Sequence, residues 1–371
     1  MSTTAELLDK LTVEGALYDK LPDGSVRCYA CGHRCLIRPG RRGICKVRFN
    51  DDGVLKVPWG YVAALQADPI EKKPFFHVLP GENVLTFGML GCDFHCGYCQ
   101  NWLTSQALRD PQSDWAIGTV QRITPQEMVR LGKRHGATVV GSSYNEPLIT
   151  SEWAIEIFKQ AKAAGMRCVY ISNGNGTREV LEYIRPYLTA YKIDLKSMND
   201  RNYRKLGGVL QHVLDTIQMV HEMGLWLEVV TLIVPGFNDD PGELWEAARF
   251  LASVSPDIPW HVTAFHPDYK MADHDYTTAE TLIKAAEIGQ EAGLRFVYAG
   301  NLPGRVGPYE DTFCPRCNTR LIKRFSYVIQ EYNITAQGTC PKCGAAVPGV
   351  WTEQPAMVQL HGSGLPMPVR G

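Results

Sequence analysis

From residue 84 onward, short runs of β-branched and apolar residues alternate with longer segments in which apolar positions recur every three or four residues. The short runs predict strands at 84–89, 137–142, 167–172, 190–195, 227–234, 260–265 and 295–299. The longer patterns predict helices at 125–135, 151–164, 177–184, 209–223, 241–253 and 277–292. Strands alternating with helices in this way predict parallel βα units, hence an α/β fold and a full or partial (β/α) barrel. Before residue 84 the pattern is different: a helical start over 5–20, a turn at 50–53, a strand-like stretch over 54–65, and the charged, Pro-containing connector DPIEKKPFFHVLPG. Past residue 308 it changes again, to a basic hairpin-like stretch over 320–332 and a Gly-, Pro- and Ser-containing tail over 362–371 that is expected to be flexible. The expected units are therefore 1–75, 76–307, 308–353 and a tail, 354–371.

Composition narrows the class. With 45% hydrophobic and 21% charged residues the 371-residue chain has ample material for a core, which excludes wholesale disorder. A formal net charge of -1 gives no global reason to expect a polyanionic partner. No apolar run approaches the roughly 18 residues that cross a bilayer, and MSTTAELLDK lacks a signal-peptide pattern, so a cytoplasmic protein without membrane contact is expected. Of twelve cysteines, eleven fall into three groups: Cys28, Cys31, Cys35 and Cys45; Cys92, Cys96 and Cys99; Cys314, Cys317, Cys340 and Cys343. Such grouping points to metal binding rather than a disulfide framework. Cys168, alone at the start of the third strand, reads as core.

In (β/α) barrels the chemistry sits in loops at the C-terminal strand ends. Most of the unusual residues of this chain follow strands: Cys92 the first, Tyr144-Asn145-Glu146-Pro147 the second, Asn173-Gly174 the third, Asp194 and Lys196 the fourth, His266 the sixth. The segment LGCDFHCGYCQNW spaces Cys92, Cys96 and Cys99 as CxxxCxxC, which can wrap three thiolates around one face of a 4Fe-4S cube and leave one iron open to a small molecule. Zinc with His95 as fourth ligand is the alternative.

On these residues the chain resembles radical S-adenosylmethionine (SAM) enzymes, with a partial TIM-like barrel. Tyr98 before the last cysteine, Gln100-Asn101 after it, KIDLKSMND, VPGFNDD and Phe265-His266-Pro267 are similar to activating enzymes of glycyl radical proteins such as pyruvate formate-lyase. With the N-terminal module, the connector, YNEP and the terminal double CPxC, nearly the whole chain resembles the radical SAM enzymes of the AmmeMemoRadiSam system. The resemblance implies SAM chelated to the open iron and cleaved to a 5′-deoxyadenosyl radical. It also implies an electron donor such as flavodoxin or ferredoxin, and Memo-like and AMMECR-like companions. Glu146, where relatives carry Gly-Gly-Glu, is the candidate for the SAM ammonium, with Asn145 beside it. Tyr98, Ser172, Asn173, Asp194, Lys196 and His266 are the further cofactor-binding candidates, Lys196 and His266 also catalytic ones. An Asp194–Lys196 structural ion pair is the competing reading. Ile171 stands where the activators carry Asp, which weighs against a cation site and against a glycyl radical partner.

Cys314-Pro-Arg-Cys317 and Cys340-Pro-Lys-Cys343 have the pattern of a zinc ribbon, with rubredoxin-type iron as the alternative. The N-terminal C-x2-C-x3-C-x9-C suits zinc or a second iron–sulfur cluster equally. Seven Lys or Arg and no acid between Arg27 and Arg48 suggest a positive face, read by default as a solvated surface and alternatively as a site for RNA or an acidic protein. The reading is thus a radical SAM enzyme abstracting hydrogen from an unidentified substrate. Its alternatives are a glycyl radical activase, an RNA-modifying enzyme, and a non-catalytic metal-sensing or nucleic-acid-binding protein.

Overall fold

The computed structural model describes residues 3–369. Seven strands form its centre: β1 (Asn83–Gly88), β2 (Ala137–Ser142), β3 (Arg167–Ser172), β4 (Ala190–Asp194), β5 (Trp226–Ile233), β6 (Trp260–Ala264) and β7 (Val297–Gly300). They pair in parallel in chain order, and β1 is flanked by the antiparallel strand Ala64–Pro69. The two ends of the sheet do not meet, so the barrel is partial. The strands are buried along nearly their whole length, as expected of parallel strands covered on both faces.

The covering helices are α1 (Pro125–Arg134), α2 (Ser151–Ala163), α3 (Arg178–Ile184), α4 (Leu210–Glu222), α5 (Pro241–Val254) and α6 (Ala279–Glu291). Their starts are written locally. Thr124 and Glu127 make a reciprocal capping box with Pro125 at the first helical position, and Asp240 caps α5 before Pro241 by accepting from the Glu243 N–H. The returns from the strands' C-terminal ends into the helices place their loops on one rim, where the chemically distinctive residues collect.

The N-terminal part departs from the expected helix over 5–20. A helix spans only Thr4–Asp9, and Thr12–Glu14 and Tyr18–Lys20 are strands. The β-branched Thr12 and Val13 pair with Val57 and Pro58, and Gly15 lies so near Val57 that a Cβ there would stand 2.6 Å from Val57 Cγ1. Apolar spacing alone cannot tell such short strands from a helix. The run over 54–65 is likewise broken at Gly60, whose φ of 74° is left-handed. Arg48, buried, joins this module to α2 through two 2.8 Å bonds to the Glu152 carboxylate.

Of the seven basic residues in the expected positive face, three are paired with acids. Arg34 pairs with Glu179, Arg42 with Asp9 and Arg48 with Glu152. In the C-terminal hairpin, Arg320–Phe325 and Val328–Tyr332, Arg320 and Lys323 meet Glu331, while Arg324 is buried over the Phe76 ring at 4.3 Å. The end of the chain does not hang free: Met367–Pro368 pair with Gln66 and Ala67, and Val369 is buried. Residues 370 and 371 of the expected tail lie outside the described residues. Among the described residues no helix is long and apolar enough to cross a membrane.

The connector is clamped between barrel and C-terminal module. His77 bonds the Pro348 carbonyl through Nδ1 at 2.7 Å and the Tyr298 hydroxyl through Nε2 at 2.6 Å. Burial pushes His77 down to about 4, so the folded chain keeps it neutral where the unfolded chain, with the ordinary value of 6.5, takes up a proton. Between about pH 6.5 and 4 the unfolded state therefore binds more protons, and stability falls as pH falls, by up to about 1.4 kcal/mol per pH unit. His77→Gln should flatten that loss in thermal melts across the window; coincident slopes would contradict it.

Candidate active site

The rim encloses a cavity of about 480 Å³. Cys92, Cys96 and Cys99 come from the loop after β1, and Ser143 to Glu146 from the loop after β2. Ser172 and Asn173 end β3, Asp194 and Lys196 end β4, and Ile171 and Lys192 also line the wall. Ten of the eleven residues proposed from sequence for cluster, cofactor or catalysis thus face one space. The exception, His266, is exposed and lines an adjoining cavity of about 310 Å³. It is tied to the first cavity through Gln100, whose Nε2 contacts His266 Nε2 at 2.8 Å.

The three thiols are free, and each is pushed above the ordinary thiol range by burial first, Cys96 to about 12. Backbone N–H groups of Phe94 and Asn101 turn toward Cys92 and Cys99, and the Ser105 hydroxyl lies 3.2 Å from the Cys99 sulfur. Such donors suit thiolates that become anionic on metal binding. Among the described residues, only the C-terminal four cysteines have their ligand atoms all within 4.8 Å of one another. No closure to the dimensions of a single ion therefore includes Cys92, Cys96, Cys99 or His95, whose ring packs on Gly207. A cluster, which carries its thiolates on separate irons, fits this loop better than zinc does.

Glu146 is buried and pushed up to about 8 by burial and by the nearby Asp93. Its Oε1 accepts from the Leu148 N–H (3.0 Å) and the Ser172 hydroxyl (2.7 Å), and Oε2 from the Asn173 N–H (2.7 Å). One acceptor position on Oε2 is left for a ligand. Ser172 and Asn173 are therefore held in place by Glu146, and Asn145 Oδ1 accepts from the Met89 N–H at 3.0 Å. Asp194 lies between Lys192 and Lys196, so the ion-pair reading of Asp194 and Lys196 is realised, extended by a second lysine. Burial works against the Lys196 charge, but Asp194 holds it well above the ordinary range. Tyr98 lines the cavity with a buried hydroxyl that has no partner among the described residues, which suits a polar ligand there.

Sequence reasoning missed two parts of the site. Asp68, buried, accepts from Lys72, Lys73 and the Tyr144 hydroxyl, and burial lowers Lys73 to about 8. The signal lay in the charged DPIEKK of the connector, but its approach to Tyr144, 76 residues on, is tertiary. Asp93, next to Cys92, accepts from Asn173 Nδ2 and Asn175 Nδ2, each at 2.8 Å. Asp93→Ala strands two buried amide donors and should cost about 2 to 6 kcal/mol, from about 1 to 3 per unsatisfied group, read as a lowered urea midpoint. A midpoint unchanged from wild type would contradict this.

Fold and rim together define a partial α/β barrel with three cysteines at its mouth. A sequence model of the Radical SAM superfamily matches residues 87–251. An uncharacterized protein of Methanocaldococcus jannaschii is 36% identical over 337 residues, which span 90% of this chain and 98% of that one. A pyruvate formate-lyase-activating enzyme of Staphylococcus aureus is 25% identical over 50% of this chain and 76% of its own. A solved domain of a pyruvate-formate lyase-activating enzyme from Bacteroides vulgatus is 22% identical, with a TM-score of 0.39 over 44% of this chain and 98% of that one. Residues 87–251 of the chain thus carry a Radical SAM superfamily domain.

Proposed function

We propose that the chain reductively cleaves SAM at a 4Fe-4S cluster held by Cys92, Cys96 and Cys99, and abstracts hydrogen from a substrate lodged where the two cavities join. The observation that carries this is the convergence of the three cysteines with Glu146, Tyr98 and Lys196 on one enclosed rim. When bound, the cluster supplies one electron, taken from a flavodoxin- or ferredoxin-class donor, and SAM supplies the adenosyl radical. The chain's own residues bind and orient. Lys196 and Lys192 offer cations to the SAM carboxylate, the free position on Glu146 Oε2 suits its ammonium, and the Tyr98 hydroxyl is open to a ligand atom. Lys72, Thr263, Asn301 and Tyr327 line both cavities and form the passage between them. Tyr327 belongs to the C-terminal hairpin turn, so that module walls the substrate side and keeps water from the reacting atoms. A junction lined by Lys72, Thr263, Asn301 and Tyr327 favours a polar substrate.

In the C-terminal tetrad the Cys314–Cys343 and Cys317–Cys340 sulfurs are 3.6 and 3.7 Å apart. Tetrahedral zinc with Zn–S near 2.3 Å spaces its sulfurs by about 3.8 Å, so zinc is the metal proposed there.

A glycyl radical activase is the second reading, favoured by the Staphylococcus aureus relative and opposed by the apolar Ile171 in the cavity wall. Deuterated candidates, supplied to reduced enzyme, separate the two. Label reaching 5′-deoxyadenosine from a small metabolite supports the first reading, and label from a glycyl radical protein alone overturns it.

A further inference from the structure

The four N-terminal cysteines lie against the back of the active-site loop. Cys28, Cys31 and Cys45 are buried, Cys35 half-buried, and Cys31 and Cys45 pack with Val47 and Ile149 in one apolar cluster. All four thiols are close enough to act on one another electrostatically. Their ligand atoms nonetheless do not close to within 4.8 Å as the C-terminal four do. A single zinc ion needs that closure, whereas a cluster carries each thiolate on a separate iron and needs a wider frame.

A second observation points into the same space. Arg48 is 1% exposed, and Nη1 and Nη2 are spent on Glu152 and the Ile149 carbonyl. Its Nε–H is buried with no partner among the described residues, while its electrostatic neighbours include the sulfurs of Cys28 and Cys45. A buried donor of this kind is costly unless an anionic acceptor completes it, as a thiolate or cluster sulfide does.

The distance to the active site is short. A Cβ on Gly91 would stand 2.6 Å from Val47 Cγ1 and 3.0 Å from the Cys45 carbonyl oxygen, and Cys92 is the next residue. Arg109 bolts the two segments together, with Nη2 donating to the Ile44 and Cys92 carbonyls at 2.7 and 3.1 Å. Asp93 also lies within electrostatic reach of Cys31 and Cys35 as well as of Cys92.

We propose that Cys28, Cys31, Cys35 and Cys45 hold a second iron–sulfur cluster in electronic contact with the one at Cys92, Cys96 and Cys99. The contact rests on the active-site reading, and the cluster itself does not. Its work is one-electron transfer. A reduced ferredoxin- or flavodoxin-class carrier loses one electron, the N-terminal cluster gains it and passes it to the active-site cluster, and no bond or proton changes hands.

The test compares the full chain and its Cys92→Ala/Cys96→Ala/Cys99→Ala variant, both reconstituted anaerobically with iron and sulfide and counted for iron and zinc. Wild type should hold about eight irons and the variant about four, two cubes against one, each with roughly one zinc in the C-terminal tetrad. The reduced variant should keep a paramagnetic cluster signal that relaxes more slowly than in wild type, because its fast-relaxing neighbour is gone. About four irons in wild type, none in the variant and roughly two zincs in both would overturn the proposal and leave the active-site reading intact. About four irons in both would uphold the N-terminal cluster and overturn the active-site reading instead. Equal relaxation in both proteins would overturn the electronic contact. If the variant fails to fold, the wild-type ratio of iron to zinc alone decides whether the N-terminal four hold a cluster.

Discussion

Replacing Cys92, Cys96 and Cys99 together by alanine will remove about four irons from each chain and reduce SAM cleavage to background. The effect is that large because all three sulfurs come from one loop and are lost together. Among the described residues no His, Asp or Glu closes with them to the dimensions of a single metal ion. The scaffold around the loop should survive, since the Gln106 amide and the Arg109 guanidinium hold the Phe94 carbonyl at 3.2 and 2.6 Å without using any sulfur. A circular dichroism spectrum like that of wild type, with activity gone, is the expected pair of results. Cleavage retained in the triple variant would remove the assignment.

Stripping metal from Cys314, Cys317, Cys340 and Cys343 will unfold the C-terminal module and open the substrate cavity. The module's apolar cluster is small, built around Leu321, Ile322, Ile329, Ile334 and Val347, with Phe76, Phe296 and Tyr298 of the barrel side completing it. A core of that size contributes little by itself, whereas structural zinc supplies on the order of 10 kcal/mol. Losing it frees Arg324 from Phe76 and Pro348 from His77, and with them the hairpin turn that carries Tyr327 over the cavity. Hydrogen exchange over 312–332 should therefore rise steeply on chelation while exchange in β2 to β5 changes little. Protection over 312–332 that survives complete zinc removal would contradict the account.

The strands were legible because parallel strands buried on both faces must be written as short β-branched runs. Val-Val in β2, Val-Tyr-Ile in β3 and Val-Val-Thr-Leu-Ile in β5 leave no helical reading. The start of the chain was not, because Leu7, Leu8, Leu11 and Val13 mimic helical spacing while the constraint that makes 12–14 a strand is its partner at 56–58. The cysteines declared themselves by spacing, which is local. Their surroundings did not, because each depends on a partner distant in sequence: Arg48 on Glu152, Tyr144 on Asp68, Asp93 on Asn173. The same distance hides the pairing of three of the seven basic residues in the N-terminal run, whose acids Asp9, Glu152 and Glu179 lie outside it.

The central claim is that this chain cleaves SAM reductively at the cluster of the barrel mouth. The most direct measurement is chromatography of the products formed when the anaerobically reconstituted, reduced full chain is mixed with SAM. The account predicts 5′-deoxyadenosine and methionine in equal amounts, both absent when the reductant is left out. Intact SAM in the presence of a fully reduced cluster would contradict it.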